Sequence, residues 1–246
     1  MATTLQQSPA IETGVLRRHA LAHDASHFLV IPQAVSTLGS TDDVVALMRH
    51  ATKTGQAITF RSGGTSLSGQ ASGAGILADT RMGFRALELL DEGRQISVEP
   101  GVSLRQANAR LLRTGHQMGP DPASEIACTI GGVIANNSSG MTCGIRDNAY
   151  QTLRSAEIVL ASGTRIDTAD TDADRQLEIQ EPTLYQALAH IRDRISSNPE
   201  SVATIRRLFS IKNTMGYSLN AFLDYERPID ILLHLMVGSE GTLGFI

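Results

Sequence analysis

Apolar and polar positions along the chain form short, separate patterns, and each pattern predicts an element. Residues 28–32 are a compact apolar run that reads as a short buried strand. Thr41 then caps a helix, with Asp42 and Asp43 suited to its positive end. Val44, Val45, Leu47, Met48 and Ala51 recur at helical spacing, and Gly55 stops the helix. Residues 57–60 predict a strand entering a glycine-rich loop over 61–75, after which residues 76–78 predict another strand. A β-α-β unit with a long loop is expected.

Further along, residues 95–99 predict a strand broken by Pro100 and Gly101. Ser103 caps a helix carrying Leu104, Ala107, Leu111 and Leu112, closed by Gly115. Residues 119–150 are rich in Gly, Asn, Ser, Pro and Asp; the small apolar Ile130, Val133, Ile134 and Ala135 mark the segment as functional, not disordered. Residues 157–161 and 164–167 flank Ser162 and Gly163 as a β-hairpin. Residues 167–174 read as a solvated acidic turn. Residues 182–208 predict two helices separated at Asn198 and Pro199, and 229–237 a buried strand feeding GSEGTLGFI. Residues 1–27 read as a polar leader, residues 28–246 as the folded domain, and the chain as the front part of a longer polypeptide.

Composition narrows the class. In 246 residues, 41% are apolar and 19% charged, with a net charge of −4, which suits a globular core and excludes a disordered chain. Aromatics are 4%, with no tryptophan, so stacking on nucleic-acid bases is not expected. Cys128 and Cys143 are too few for a disulfide framework and too isolated for a zinc or iron–sulfur site, so no metal is expected. The N-terminal stretch has no signal-peptide core, Arg17 and Arg18 resemble a twin-arginine signal only superficially, and no apolar run approaches the roughly 20 residues of a membrane span. A cytoplasmic protein without a membrane span is expected.

The 22 glycines crowd into three stretches. RSGGTSLSG, residues 61–69, directly follows a strand; it reads either as an anion nest of converging N–H groups, with Arg61 adding charge, or as a tight turn. TIGGVIANNSSG, residues 129–140, reads either as a small apolar face carrying amides and hydroxyls toward a flat polar cofactor or as a glycine-rich core turn. The third cluster spans 238–244. No Walker ending, nucleophile elbow or HExxH helix occurs; GAGILA at 73–78 fits the dinucleotide spacing but precedes a strand instead of following one.

Taken together, these residues resemble the flavin domain of the vanillyl-alcohol oxidase and p-cresol methylhydroxylase (PCMH) family. The matching elements are Pro32, RSGGTSLSG, Asp79, PGVSL at 100–104, PDPAS at 120–124, TIGGVIANNSSG, LASG at 160–163 and VGSEGTLGFI at 237–246, in the family's order. SSGMTCG at 138–144 and KNTMGYSLNAFLDY at 212–225 resemble the 2-hydroxy-acid branch, which holds D-lactate and D-2-hydroxyglutarate dehydrogenases and the flavin subunit of glycolate oxidase. The resemblance implies an α+β fold of two lobes, a small β-α-β lobe and a larger mixed sheet with helices, with FAD between them.

It further implies that Ser62, Gly63, Gly64, Thr65 and Ser66 hold the FAD pyrophosphate, that Arg61 and Gly69 also belong to the cofactor site, and that Pro122, Ser124, Thr129, Gly132, Asn136 and Gly140 line the cofactor further along. Ile158 would lie at the adenine end, and Gly238, Glu240 and Gly241 near the substrate-domain junction. Family members that tether FAD covalently often carry histidine where Thr65 stands, which implies non-covalent FAD here. The implied function is oxidation of a D-2-hydroxy acid by hydride transfer to flavin N5. A C-terminal substrate domain, absent from these residues, would supply the catalytic groups, and electrons would leave through an iron–sulfur domain or subunit or a quinone. The alternatives are a non-catalytic or partner-dependent FAD-binding module and an NADPH-using cell-wall precursor reductase on the same fold, which KNTMGY and GSEGTLGF disfavour. His116 and His234 are candidate bases or ordinary structural histidines, and Lys212 is a cation for a carboxylate or a surface lysine.

Overall fold

The computed structural model describes residues 9–246. It opens with α1 (Val15–Ala20) and continues through β1 (Ala34–Thr37), α2 (Thr41–Thr54), β2 (Ile58–Arg61) and β3 (Ile76–Asp79). The three strands form a parallel sheet in the order β1-β3-β2, with Ala34 opposite Ile76 and Ile58 opposite Ile76. Every residue of central β3 is buried, as a strand covered on both faces must be. Period-2 alternation divides its side chains: Ile76 and Ala78 pack with Val44, Leu47 and Met48 of α2, while Leu77 and Val35 of β1 meet Leu21 on the other side.

That second face corrects two expectations. Over residues 9–27 the polar leader is packed structure, because the sheet face opposite α2 needs a cover: Leu21 and Ala22 are buried there, and Glu12 pairs with Val35. Residues 1–8 of the expected leader lie outside the described residues. The first strand lies at 34–37 and not at 28–32; Phe28 and Leu29 are exposed, so their apolarity does not mark a core. The cap of α2 is Ser40, not Thr41, because Ser40 has Asp43 three residues on and the two close a capping box.

β4 (Leu87–Leu90) and β5 (Gln95–Val98) form an antiparallel hairpin, followed by α3 (Leu104–Leu111), whose Ser103–Gln106 capping box agrees with the sequence pattern. Leu112 is exposed instead of buried, in a 3-10 turn that ends at Gly115. Two short helices follow, α4 (Ile130–Ala135) and α5 (Ala149–Thr152), and then the expected hairpin, β6 (Glu157–Val159) with β7 (Arg165–Asp167). Leu104, Ala107, Ile130 and Val133 pack with partly buried Leu87, Ile96 and Val98 as one core.

The class is α+β, as expected, but the larger part differs in its strands. In place of one mixed sheet, β4-β5 and β6-β7 are separate two-stranded ladders. The strands are only three or four residues long, and a cleft of about 670 Å³, lined by Leu87, Ile96 and Val98 on one side and Ala156 and Glu157 on the other, keeps the ladders apart.

The remaining helices are α6 (Ala173–Gln180), α7 (Pro182–Ser196), α8 (Pro199–Phe209), α9 (Ala221–Asp224) and α10 (Pro228–Met236). The break at Asn198 is as expected: its side chain accepts from Glu200 and Ser201 N–H. The segment 229–237 is a helix and not a strand over 229–236. Pro228 stands at its first position, Arg227 pairs with Asp230 across that turn, and all of the helix but Asp230 is buried, so no amphipathic period shows in the sequence. Nor is the acidic turn purely solvated, since Asp174 accepts the otherwise free N–H of Ile229 and the hydroxyl of Tyr185.

Candidate functional site

The three glycine clusters meet in one cleft of about 450 Å³ between the parallel sheet and the larger part. Its floor is the end of β2 and the loop that follows. Asp79 closes the neighbouring end of β3: wholly buried, it accepts from Arg81 (2.9 Å) and Arg17 (3.1 Å). Burial alone would raise this carboxyl, but its bonds to Arg81 and the charges of Arg81 and Arg17 outweigh that and hold it below its ordinary value.

The loop after β2 offers backbone donors. Among the described residues, no backbone N–H from 63 to 69 meets a protein acceptor. Gly64 has a φ of 64°, and Gly63 crosses the opposite wall so closely that a β-carbon there would collide with the Ala127 carbonyl. The turn thus needs glycine, and it leaves its N–H groups without protein acceptors. Arg61 is buried, with Nη1 donating to Leu21 O (2.8 Å) and the guanidinium beneath Gly64.

The opposite wall is the turn from Pro122 to Cys128 followed by α4. Thr129 starts α4 without capping it, and the chain leaves α4 through Asn136 and Asn137, whose φ is 47°. Four residues of the cleft lining each carry a buried polar side-chain atom without a partner: Arg61 Nε, Ser62 Oγ, Thr129 Oγ1 and Asn137 Oδ1. Unpaired buried polar atoms cost free energy, and this cost is gathered in the residues around one cleft.

Arg61, Ser62, Gly63, Gly64, Thr65, Ser66, Pro122, Ser124, Thr129, Gly132, Asn136, Glu240 and Gly241 all line this cleft. Four expected residues do not. Gly69 lies against the Phe28 ring, Gly140 against Asp121, and Gly238 against the Gly216 carbonyl, while Ile158 is a core side chain. These glycines permit backbone crossings that shape the site from behind. Residues of the matching motifs that were not singled out as site residues also line it, among them Pro100, Asn137, Ser139, Thr214 and Phe245. Thr214 belongs to the KNTMGY segment, which is fastened over the cleft's end by Lys212 Nζ to Gly140 O (2.6 Å) and Tyr217 OH to Thr242 Oγ1 (2.7 Å). Lys212 is thus engaged with a carbonyl.

Of titratable side chains, the described cleft lining holds Arg61, Cys128 and Glu240. Burial raises the Cys128 thiol and, against a hydrogen bond from Gln70, the Glu240 carboxyl. Neither histidine candidate lines the cleft. His116 contacts Thr114, and His234 sits in an aromatic core, stacked on Tyr225 and within reach of Asp230 O (2.8 Å) and Tyr225 OH (2.8 Å). Among the described residues, no three His, Cys, Asp or Glu side chains are grouped to hold a metal, and no helix is long and apolar enough to cross a membrane.

A glycine-lined cleft thus lies between a small parallel sheet and an α+β body. The family of FAD binding domains matches residues 32–169, and the chain belongs to it. The chain is 31% identical over 245 residues to a D-2-hydroxyglutarate dehydrogenase from Pantoea ananatis, covering 95% of this chain and 23% of that protein. It is 29% identical over 238 residues to a D-lactate dehydrogenase from Archaeoglobus fulgidus, covering 92% and 41%. The chain therefore spans less than half the length of either relative. Among solved structures, an alkyldihydroxyacetonephosphate synthase superposes over 96% of this chain and 35% of its own with a TM-score of 0.59 at 17% identity. A 6-hydroxy-D-nicotine oxidase from Arthrobacter nicotinovorans does so over 75% and 41%, with 0.56 at 18%. At these identities the superpositions speak to the fold alone.

Proposed function

We propose that this chain is the FAD-holding part of a dehydrogenase that oxidises a small D-2-hydroxy acid. The observation that carries the reading is that a loop whose N–H groups meet no protein acceptor and four residues with orphaned buried polar atoms line one cleft, in a chain whose family is that of FAD binding domains. The loop over 62–66 would take the pyrophosphate, with Arg61 behind it supplying positive charge; charge-assisted bonds from backbone donors are stronger than neutral ones. Thr129 and Asn137 would bond the cofactor further along. Bound FAD would supply the two-electron acceptor for the hydride from the substrate's α-carbon. Thr65 has no ring nitrogen to bond the flavin, which supports a non-covalent cofactor.

The substrate class follows the named relatives, a D-2-hydroxyglutarate and a D-lactate dehydrogenase. In this reading the substrate domain and an iron–sulfur electron carrier belong to further parts of the protein or to a partner. A second reading, a partner-dependent FAD-binding module, is favoured by the lining itself: among the described residues it presents no histidine to take the hydroxyl proton. The two buried free thiols, Cys128 and Cys143, support a reducing, cytoplasmic setting.

The test is anaerobic addition of D-lactate, D-2-hydroxyglutarate or glycolate to the FAD-loaded chain. Bleaching of the visible flavin band by one of them supports a dehydrogenase with its proton acceptor in this chain. No bleaching by any, with FAD bound, supports the module.

A further inference from the structure

We propose that residues 21–28 form a strap that holds the loop over 62–71 in its cofactor-ready shape, with Asp24 and Phe28 as positioning residues; the proposal rests on the FAD reading above. The loop does little to fix itself. Its internal bonds are Ser72 N–H to Gly69 O (3.0 Å), Gln70 N–H to Ser66 Oγ (3.3 Å) and a contact between the Ser66 and Gln70 side chains. Its other contacts come from outside: the Ala127 turn meets Gly63, Glu240 bonds Gln70, and the strap meets the loop at both ends.

At the near end, Ala25 N–H donates to Gly64 O (3.0 Å), and Leu21 O receives Arg61 Nη1 (2.8 Å), which keeps the guanidinium under Gly64. At the far end, the Phe28 ring lies on Gly69, so close that a β-carbon there would stand 2.7 Å from Cδ2. Between these points the strap is preset by two local turns: Asp24 Oδ1 accepts Ser26 N–H (2.8 Å) and Ser26 Oγ accepts Phe28 N–H (3.1 Å). Burial would raise the Asp24 carboxyl, but the bonds from Ser26 and the charge of Arg61 help to hold it below its ordinary value. The root of the strap is fixed by Leu21 and Ala22, both buried, and by Val30 N–H to Ala22 O (3.0 Å).

The placement of Phe28 separates a positioning role from a merely structural one. At 55% exposure it contributes little to the core, yet its ring covers the one glycine at which the loop turns back toward β3. A loop held in advance spares the cofactor the entropy of ordering the seven free N–H groups of residues 63–69 and their backbone.

The experiment uses the cofactor-free chain and the variants Phe28→Ala, Phe28→Leu, Asp24→Ala and Asp24→Asn. Three quantities are read: the FAD dissociation constant from flavin fluorescence, amide hydrogen-exchange protection of Ala25, Gln70 and Ser72, whose N–H groups bond to the loop, and the thermal midpoint. Phe28→Ala and Asp24→Ala should each weaken FAD binding about tenfold through lost pre-organisation, lower protection at these amides and leave the midpoint unchanged. Phe28→Leu keeps an apolar cover and Asp24→Asn keeps the turn acceptor, so both should recover most of the affinity. Wild-type protection at these amides for both alanine variants would overturn the proposal, as would affinity falling only in step with global stability. If the wild-type chain takes no FAD, the cofactor reading fails, and the exchange rates still decide for or against the strap.

Discussion

Gly63 passes the carbonyl of Ala127 backbone to backbone, without room for a β-carbon. This crossing joins the loop after β2 to the turn before α4, and so brings two distant glycine clusters to one cleft. Gly63→Ala must push those walls apart, at a cost of about 1–3 kcal/mol. Flavin fluorescence titration should show FAD affinity reduced by about five- to 150-fold where that cost falls on the site, since 1.4 kcal/mol is a factor of ten; unchanged affinity would mean that the crossing does not shape the site.

Thr129 separates fold from function. Its buried hydroxyl has no partner, so Thr129→Val removes an unsatisfied group while keeping the shape. Urea denaturation of the cofactor-free variant should show a gain of about 1 kcal/mol, while FAD binding weakens. A loss of stability would show that the hydroxyl is bonded in the free chain.

Asp79 ties β3 to α1 and to the segment after β3 through Arg17 and Arg81. The carboxylate is wholly buried but both arginines are over a third exposed, so Asp79→Ala should cost about 3 kcal/mol, the low end for a broken buried pair. Its folded pKa is depressed, so its contribution is complete above the unfolded value of about 3.9 and is lost as pH falls below it. Urea midpoints measured across the acid range should show that loss in the wild type and its absence in the variant.

His234 acts in a different window. Burial lowers its pKa, so the unfolded chain binds the proton more readily; its stabilising effect is complete above the unfolded value of about 6.5 and is lost as pH falls from there toward the folded value. The thermal midpoint should drop between neutral and mildly acid pH, and His234→Phe should flatten that part of the curve. An unchanged slope would assign the drop to other groups.

Much of this molecule is legible in local chemistry. Gly55 ends α2 with a φ of 68°, Ser103 and Gln106 box α3, and Asn198 restarts the chain at α8, because each signal acts within a turn or two of itself. The RSGGTS loop is equally readable, as glycine directly after a strand, whereas Thr129 follows only from the family resemblance, since no helix is expected at 130. What was not legible depends on partners far along the chain. Helix α10 is buried on nearly every side, which erases its period; Leu21 and Ala22 sit in a polar stretch and reveal their role only when the back of β3 needs a cover. Gly140 and Gly238 announce themselves as glycines, but only the folded chain shows that they face Asp121 and Gly216 and not the cleft.

The central claim is that the cleft holds FAD without a covalent bond. Its most direct test is the visible spectrum of the purified chain, supplied with FAD and freed of excess, before and after acid precipitation. The predicted result is a flavin spectrum on the protein with all of the flavin released into the supernatant. A protein that stays colourless after added FAD would contradict the cofactor, and flavin retained in the pellet would contradict the non-covalent bond.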